Sequence, residues 1–466
     1  RSGSHTFTFL KHFNRLNKHY RSNQKGTMIS VRNRVILEKN PNLFWFSFYT
    51  ALLNFLLSDL RYPFLLKPCT LKPYSTPIYT IFEIAKPMQS RDTFEAFEKS
   101  YTLQRYPHKP NDDLRAWDAA DLYLLNTLAD LDIDLSGLCI INDNFGALTI
   151  PLLQHEPICY SDSWLSREAM YKNIELNNLD KSLTFLPHAE DFKEAANSAD
   201  IIIGRVPKSK NHLAFLLQQL NAWAKPGCKL LLAGMDKHLS KGQYDLVAQY
   251  FGPSRFYPGV KKARIWEATV DKDLVSKPLP DNIINLPEFE LTLSNQPNVF
   301  SQDKLDIGTR FLLENLPTIP SKAMVADLAC GNGTLGLAYL RLHPDSHMLF
   351  TDESFQAIQS CEENRKRNLP DTQVSIRVDD GLKQSKPSEL DLILCNPPFH
   401  QQHILGTDIA FTLFKDAFRA LKKGGEFWLV ANRHLDYPIT LKKLFGNCST
   451  EASNKKFVIL KAIKFR

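Results

Sequence analysis

Residues 324–340 read MVADLACGNGTLGLAYL. An apolar run ends at Asp327, glycines follow at 331 and 333, and a helix-forming stretch begins at once. That order is strand, glycine turn, helix, the opening unit of an α/β fold on a mostly parallel sheet. The segments after it continue the plan. MLFTDES (348–354) and VSIRVDDGL (374–382) are short strands ending in acids, and LDLILCNPPF (390–399) is a strand stopped by two prolines. Proline cannot donate to a sheet ladder, so this strand must end at Asn396-Pro397. LKKGGEFWLVANR (421–433) adds a turn and another strand.

An earlier part of the chain repeats this order. GLCIINDNFGALTIPLL (137–153) stands where the glycine turn stood, ICYSDSW (158–164) is a strand ending in Asp162, and ADIIIGRVPK (199–208) parallels LDLILCNPPF. AKPGCKLLLAG (224–234) parallels the last turn and strand. Pairing Asp162 with Asp352 and Pro207 with Pro398 gives acid-to-proline separations of 45 and 46 residues. The chain therefore reads as a duplicated domain, with copies at 88–275 and 276–466. The copies are chemically unequal. Asn144-Phe145-Gly146 faces Cys330-Gly331-Asn332-Gly333, and a bulky Phe145 blocks the close backbone approach that glycine permits. Arg205-Val206-Pro207-Lys208 faces Asn396-Pro397-Pro398-Phe399. The first copy keeps the scaffold and has lost the site. Arg205, Lys208 and Lys210 make its mouth basic, which suits either a phosphate backbone or a solvated loop.

At 466 residues, two or three domains are expected. Eight cysteines without a CxxC pair argue against a zinc site or disulfide framework and for a reducing, cytoplasmic setting. No metal ligand set is expected. The net charge of +7 is unevenly spread: residues 1–87 carry 13 Lys/Arg against Glu38, Asp59 and Glu83, leaving −3 for residues 88–466. Overall charge therefore gives no licence for a nucleic-acid binder, and any basic surface is local. Residues 1–87 are anomalous in composition. Their run LFWFSFYTALLNFLL (43–57) is shorter than the roughly 20 residues of a spanning helix. The expectation is that this segment is not native and that the chain starts at or near Met88, with no membrane partner.

The glycine turn lacks the GK[ST] of a phosphate loop and the full G-x-G-x-x-G of dinucleotide folds. An acid at 327 would repel a pyrophosphate and attract a cationic amine, which favours S-adenosylmethionine over NAD or ATP. Asp352, 25 residues on, suits ribose hydroxyls, and Asp379 or Asp380 suits an adenine amino group. Gly331 and Gly333 let the cofactor approach the backbone. Asn396 and the Pro397 carbonyl can accept N–H bonds from a conjugated amine and hold its nitrogen in line with a methyl group. Phe399 offers a face for stacking a base.

DLACGNG, TDES and CNPPFHQQH, followed by ANRHLDY and KLFGNC, resemble the ribosomal RNA large subunit methyltransferase G family. The likeness starts near TLQRYP (102–107) and includes NVFSQDKLDIGTRFLL (298–313). The small-subunit guanine methyltransferase C is a relative of that family. The resemblance implies an α/β fold of two tandem Rossmann-like class I methyltransferase domains, the N-terminal copy degenerate and RNA-binding. It further implies methyl transfer from S-adenosylmethionine to guanine N2 in 23S rRNA. Naked RNA or an early assembly intermediate is the expected substrate, and two tandem domains favour a monomer. Ala329 departs from the family's usual glycine and should be tolerated as a small residue. Alternatives are a 16S guanine-N2, adenine-N6 or protein glutamine-N5 methyltransferase, or a non-catalytic RNA-binding assembly protein.

Overall fold

A computed structural model of the chain describes residues 91–466 except 109–112, 132, 181, 303, 319 and 399–404, with only the backbone at 405–408. The expectations for residues 1–87 and for Phe399 fall outside the described residues. In the first copy the strands are β1 (Thr93–Ala96), β2 (Lys99–Thr102), β3 (Cys139–Ile141), β4 (Ile158–Tyr160), β5 (Thr184–Leu186), β6 (Ile201–Arg205), β7 (Lys229–Met235), β8 (Ser254–Phe256) and β9 (Ala263–Thr269). In the second they are β10 (Ile283–Leu286), β11 (Leu291–Ser294), β12 (Met324–Leu328), β13 (His347–Asp352), β14 (Val374–Val378), β15 (Leu390–Cys395), β16 (Leu421–Asn432), β17 (Ser449–Ser453) and β18 (Phe457–Ile463).

The two large sheets run β5-β4-β3-β6-β7-β9-β8 and β14-β13-β12-β15-β16-β18-β17. Adding nine to each label of the first order generates the second, so the duplication is complete. Five strands of each sheet are parallel and β9 and β18 reverse direction. Helices cover both faces, which is why the central strands are apolar throughout rather than alternating. Val325, Leu392 and Leu394 pack into one core layer, and Ala326, Leu328, Ile393 and Cys395 into the other. Among the described residues no helix is long and apolar enough to cross a membrane.

Each sheet is preceded by a two-stranded hairpin, β1–β2 or β10–β11, which helix asparagines tie to the rest of its copy. Asn364 Oδ1 accepts the Ser294 N–H at 2.7 Å while its Nδ2 donates to Ser294 O and Asn332 O. Asn368 brackets Thr292 in the same way. In the first copy Asn173 brackets Gln104 and reaches Phe145 O, and Asn177 brackets Thr102.

These clamps fix the register between copies and correct three expectations. Phe145 is the counterpart of Asn332, so the glycine lost is Gly331, replaced by Asn144. The left-handed residues agree: Asn142 (φ 56°) with Ala329 (φ 58°), and Gly146 (φ 86°) with Gly333 (φ 83°). In that register the partner of Asp352 is Ser161, and Asp162 matches Glu353. The proline then lies 46 residues on in both copies. Arg205, finally, is not a free cation of the mouth. Its guanidinium pairs with Asp121 at 2.6 Å and Asp118 at 2.9 Å and is only 14% exposed.

The copies meet just past β4 and β13, at the starts of the helices that follow. Ser163 and Ser354 form an antiparallel bridge. Trp164 N–H donates to Glu353 O, and Phe355 N–H donates to Asp162 O, both at 3.0 Å.

Candidate functional site: four strand ends of the second copy

Asp327 and the glycine turn, Asp352, Asp379 and Asn396 stand at the carboxyl ends of the adjacent strands β12, β13, β14 and β15. This is the edge where open α/β sheets hold ligands. Asp327 is fully buried, and its Oδ2 accepts the Gly336 N–H at 2.8 Å, anchoring the helix Thr334–Leu342. Its Oδ1 is buried without a partner. Burial, with the Asp352 charge adding, pushes the Asp327 carboxyl up to about 8. Asp352 accepts N–H bonds from Gly331 at 2.9 Å and Ser354 at 3.0 Å, which ties the glycine turn to the next strand. Among the described residues neither Asp327 nor Asp352 has a cationic side-chain partner.

Gly331 and Gly333 differ in their reasons for being glycine. A Cβ at Gly331 would meet nothing within 4 Å, so the space above the turn is open. One at Gly333 would come within 2.7 Å of Cys361 Sγ, so that glycine is required for packing as well as for its φ. Just past β14, Asp379 Oδ2 accepts the Gln384 N–H at 3.1 Å and lies 3.5 Å from the Arg377 guanidinium, while Oδ1 is buried and unpartnered. The neighbouring Asp380 is paired with Lys383. Of the two acids, Asp379 is the one with a buried, unpartnered oxygen.

Asn396 follows β15 and precedes the buried Pro397. Its Nδ2 donates to Asp306 Oδ2 at 3.1 Å and to Thr309 Oγ1 at 2.8 Å. An ionised carboxylate only accepts, so Asp306 dictates which end of the amide turns toward it. The other end, Oδ1, is buried and bare. Asp306 also caps the helix Ile307–Leu313 through the Thr309 N–H at 2.9 Å. Neither Asp306 nor Thr309 was singled out by sequence reasoning. The signal that could have found them is a repeat: Asp118 caps its helix, Asp121 follows three residues on, and both hold Arg205, the counterpart of Asn396. The first copy has thus turned the amide's two anchors into an ion-pair triad. Its other site positions are Ile140 for Asp327, Ser161 for Asp352 and His188 for Asp379, none with a carboxylate.

The residues present fit S-adenosylmethionine. Asp327 and Asp352, buried acids without cationic side-chain partners, favour a positively charged ligand, the space above Gly331 is open, and three buried side-chain oxygens (Asp327 Oδ1, Asp379 Oδ1, Asn396 Oδ1) have no partner. Among the described residues no three His, Cys, Asp or Glu side chains gather into a metal-holding group.

The family model for the methyltransferase small domain matches residues 290–461, and that for the RLMG N-terminal domain matches residues 91–272. Ribosomal RNA large subunit methyltransferase G of Stutzerimonas stutzeri is 42% identical over 369 residues, covering 78% of this chain and 97% of that protein. The protein of the same name from Streptomyces griseus is 39% identical over 388 residues, covering 80% and 99%. Among solved structures, the 16S rRNA N2 methyltransferase RsmC of T. thermophilus, in complex with AdoMet and guanosine, aligns with a TM-score of 0.63 at 19% identity. That alignment covers 80% of this chain and 97% of the other, and establishes the two-copy α/β fold. With both halves matched and these identities over most of its length, the chain belongs to the ribosomal RNA large subunit methyltransferase G family.

Proposed function

We propose that the chain methylates the exocyclic N2 amine of a guanine in 23S rRNA. The observation that carries this reading is the bare Oδ1 of Asn396, an acceptor aimed by an anchored amide. S-adenosylmethionine, when bound, supplies an electrophilic methyl on a sulfonium. The nitrogen lone pair of a guanine N2 amine is delocalised into the ring, so the chain's task is orientation. Asn396 Oδ1 and the Pro397 carbonyl accept the two N–H bonds and turn the nitrogen toward the methyl. Phe399 stacks on the base. The N2 amine lies on the pairing edge, so the guanine must be unpaired or flipped to enter. After transfer the nitrogen is acidic and loses its proton without a strong base.

Asp352 takes the ribose hydroxyls and Asp379, whose Oδ1 is buried and unpartnered, takes the adenine amine. Gly331 and Gly333 bring the backbone close, and a cation above the turn would draw the proton off Asp327. The first copy binds RNA phosphates through the exposed Lys208, Lys210, Lys237 and Lys241. Their proximity is felt by His238, held below its ordinary value by burial and by Lys237 and Lys208. The enzyme acts as a cytoplasmic monomer on naked RNA or an early assembly intermediate.

The test incubates the protein with radiolabelled S-adenosylmethionine and deproteinised, unmodified 23S rRNA, then digests the product to nucleosides. Label in N2-methylguanosine is expected, and Asn396→Ala should remove it while leaving cofactor affinity largely intact. Label in N6-methyladenosine would overturn the substrate base. Label only on added ribosomal protein or release factor would move the enzyme to glutamine chemistry.

A further inference from the structure

One buried carboxylate of the inactive copy touches both arms of the active site. Asp162 is 5% exposed. Its Oδ1 accepts the Gln356 N–H at 2.7 Å, and its Oδ2 accepts from Ser354 Oγ at 2.8 Å and Asn298 Nδ2 at 2.6 Å. Its main-chain oxygen takes the Phe355 N–H. Asp162 therefore supplies acceptors to the first turn of the helix Phe355–Asn368, where N–H groups have no helical partner. Two residues before that helix's cap stands Asp352. Asn298 opens the segment that leads to Asp306, and its own N–H donates to Gln356 Oε1 at 2.8 Å. A second residue of the first copy, Asn211, holds Gln302 of the same segment.

We propose that Asp162 is a positioning residue through which the inactive copy sets the methyl-donor site against the acceptor site. One carboxylate fixes the helix start behind Asp352 and the strand of chain that carries Asp306, and hence Asn396. The inference rests on the assignment of Asp352 to the cofactor ribose. It gives the first copy a part in cofactor binding that is separate from any contact with RNA.

The experiment measures S-adenosylmethionine affinity by calorimetry on the full chain, alongside the melting temperature and the affinity for 23S rRNA. Asp162→Ala should weaken the cofactor about 10-fold, since it strands one backbone donor and two side-chain donors. RNA affinity should be unchanged. Asp162→Asn keeps an acceptor for Gln356 N–H but turns an N–H pair toward Asn298 Nδ2, so it should recover part of the loss, a partial rescue that a purely electrostatic role would not allow. Should Asp162→Ala fail to fold, Asn298→Ala removes one bond only and should raise the KM for the cofactor and lower kcat at saturation. Wild-type cofactor affinity in folded Asp162→Ala, or in Asn298→Ala with kcat also unchanged, overturns the proposal. Asp352→Ala separates the two readings: if it binds the cofactor normally, the ribose assignment fails, whatever Asp162 does.

Discussion

Replacing Asp306 by serine should separate catalysis from stability in this enzyme. The Asn396 amide is held by two acceptors, Asp306 Oδ2 at 3.1 Å and Thr309 Oγ1 at 2.8 Å. Only the carboxylate enforces the orientation, because a threonine hydroxyl donates as readily as it accepts. A hydrogen bond to a charged acceptor contributes about 1.5–3 kcal/mol net, so losing it releases the amide to flip at a cost near 2 kcal/mol, roughly 30-fold in kcat. In the flipped state the N–H pair of Asn396 faces the N–H pair of the substrate. Serine retains the cap, since its hydroxyl accepts the Thr309 N–H as Asp306 does now, and stability should stay within about 0.5 kcal/mol. The assay is single-turnover methyl transfer at saturating cofactor and RNA, with calorimetric cofactor binding and urea unfolding on the same preparation. A kcat within about 3-fold of the parent, with binding and stability intact, would refute the view that Asp306 aims Asn396.

Three further outcomes are expected. Arg205→Met leaves the buried Asp121 unpaired and should cost about 3 kcal/mol in urea unfolding with no loss of RNA affinity; the reverse pattern would return Arg205 to the RNA surface. Ala329→Gly relieves a left-handed alanine at φ 58° and should stabilise the protein by about 0.5–1 kcal/mol after the entropy of the new glycine, and a lower melting temperature would contradict this. Asp327, whose carboxyl burial pushes from an ordinary 3.8 to about 8, keeps a proton that the unfolded chain releases. Its stabilising share is complete below pH 3.8 and is lost as pH rises to about 8, so ligand-free Asp327→Asn should lose less stability than the parent between pH 5 and pH 8. Parallel pH profiles would rule that out.

The motif strands, the glycine turn and the duplication were legible because each is local: apolar runs, turn residues and spacing mark them wherever the chain goes. The tethering of Asn396 was not. Its partner Asp306 lies 90 residues earlier, at a helix cap whose local reading is complete without it. Asp162 shows the same limit from the other side. An acid near a strand end looks like a ribose ligand, yet one residue of register separates Ser161, the counterpart of Asp352, from Asp162, which joins the copies. Only the clamps at Asn173 and Asn364 decide that register, and they were visible in sequence as asparagines four apart in both helices (Asn173 and Asn177, Asn364 and Asn368). Arg205 misled because a basic residue at a strand end reads as surface until its carboxylates are placed.

The crossing of Trp164 N–H to Glu353 O with Phe355 N–H to Asp162 O is reciprocal between equivalent residues. Such reciprocity is the mark of a two-fold homodimer, in which one patch meets itself. A gene fusion of two such subunits would carry the interface over unchanged while making one of two identical sites redundant. On that history the dimer came before the tandem chain, and decay began only after fusion. A mutation in a homodimer strikes both sites at once, whereas in a fused pair it can spare one. The ancestor would have been a symmetric enzyme with two working sites, each braced by its twin.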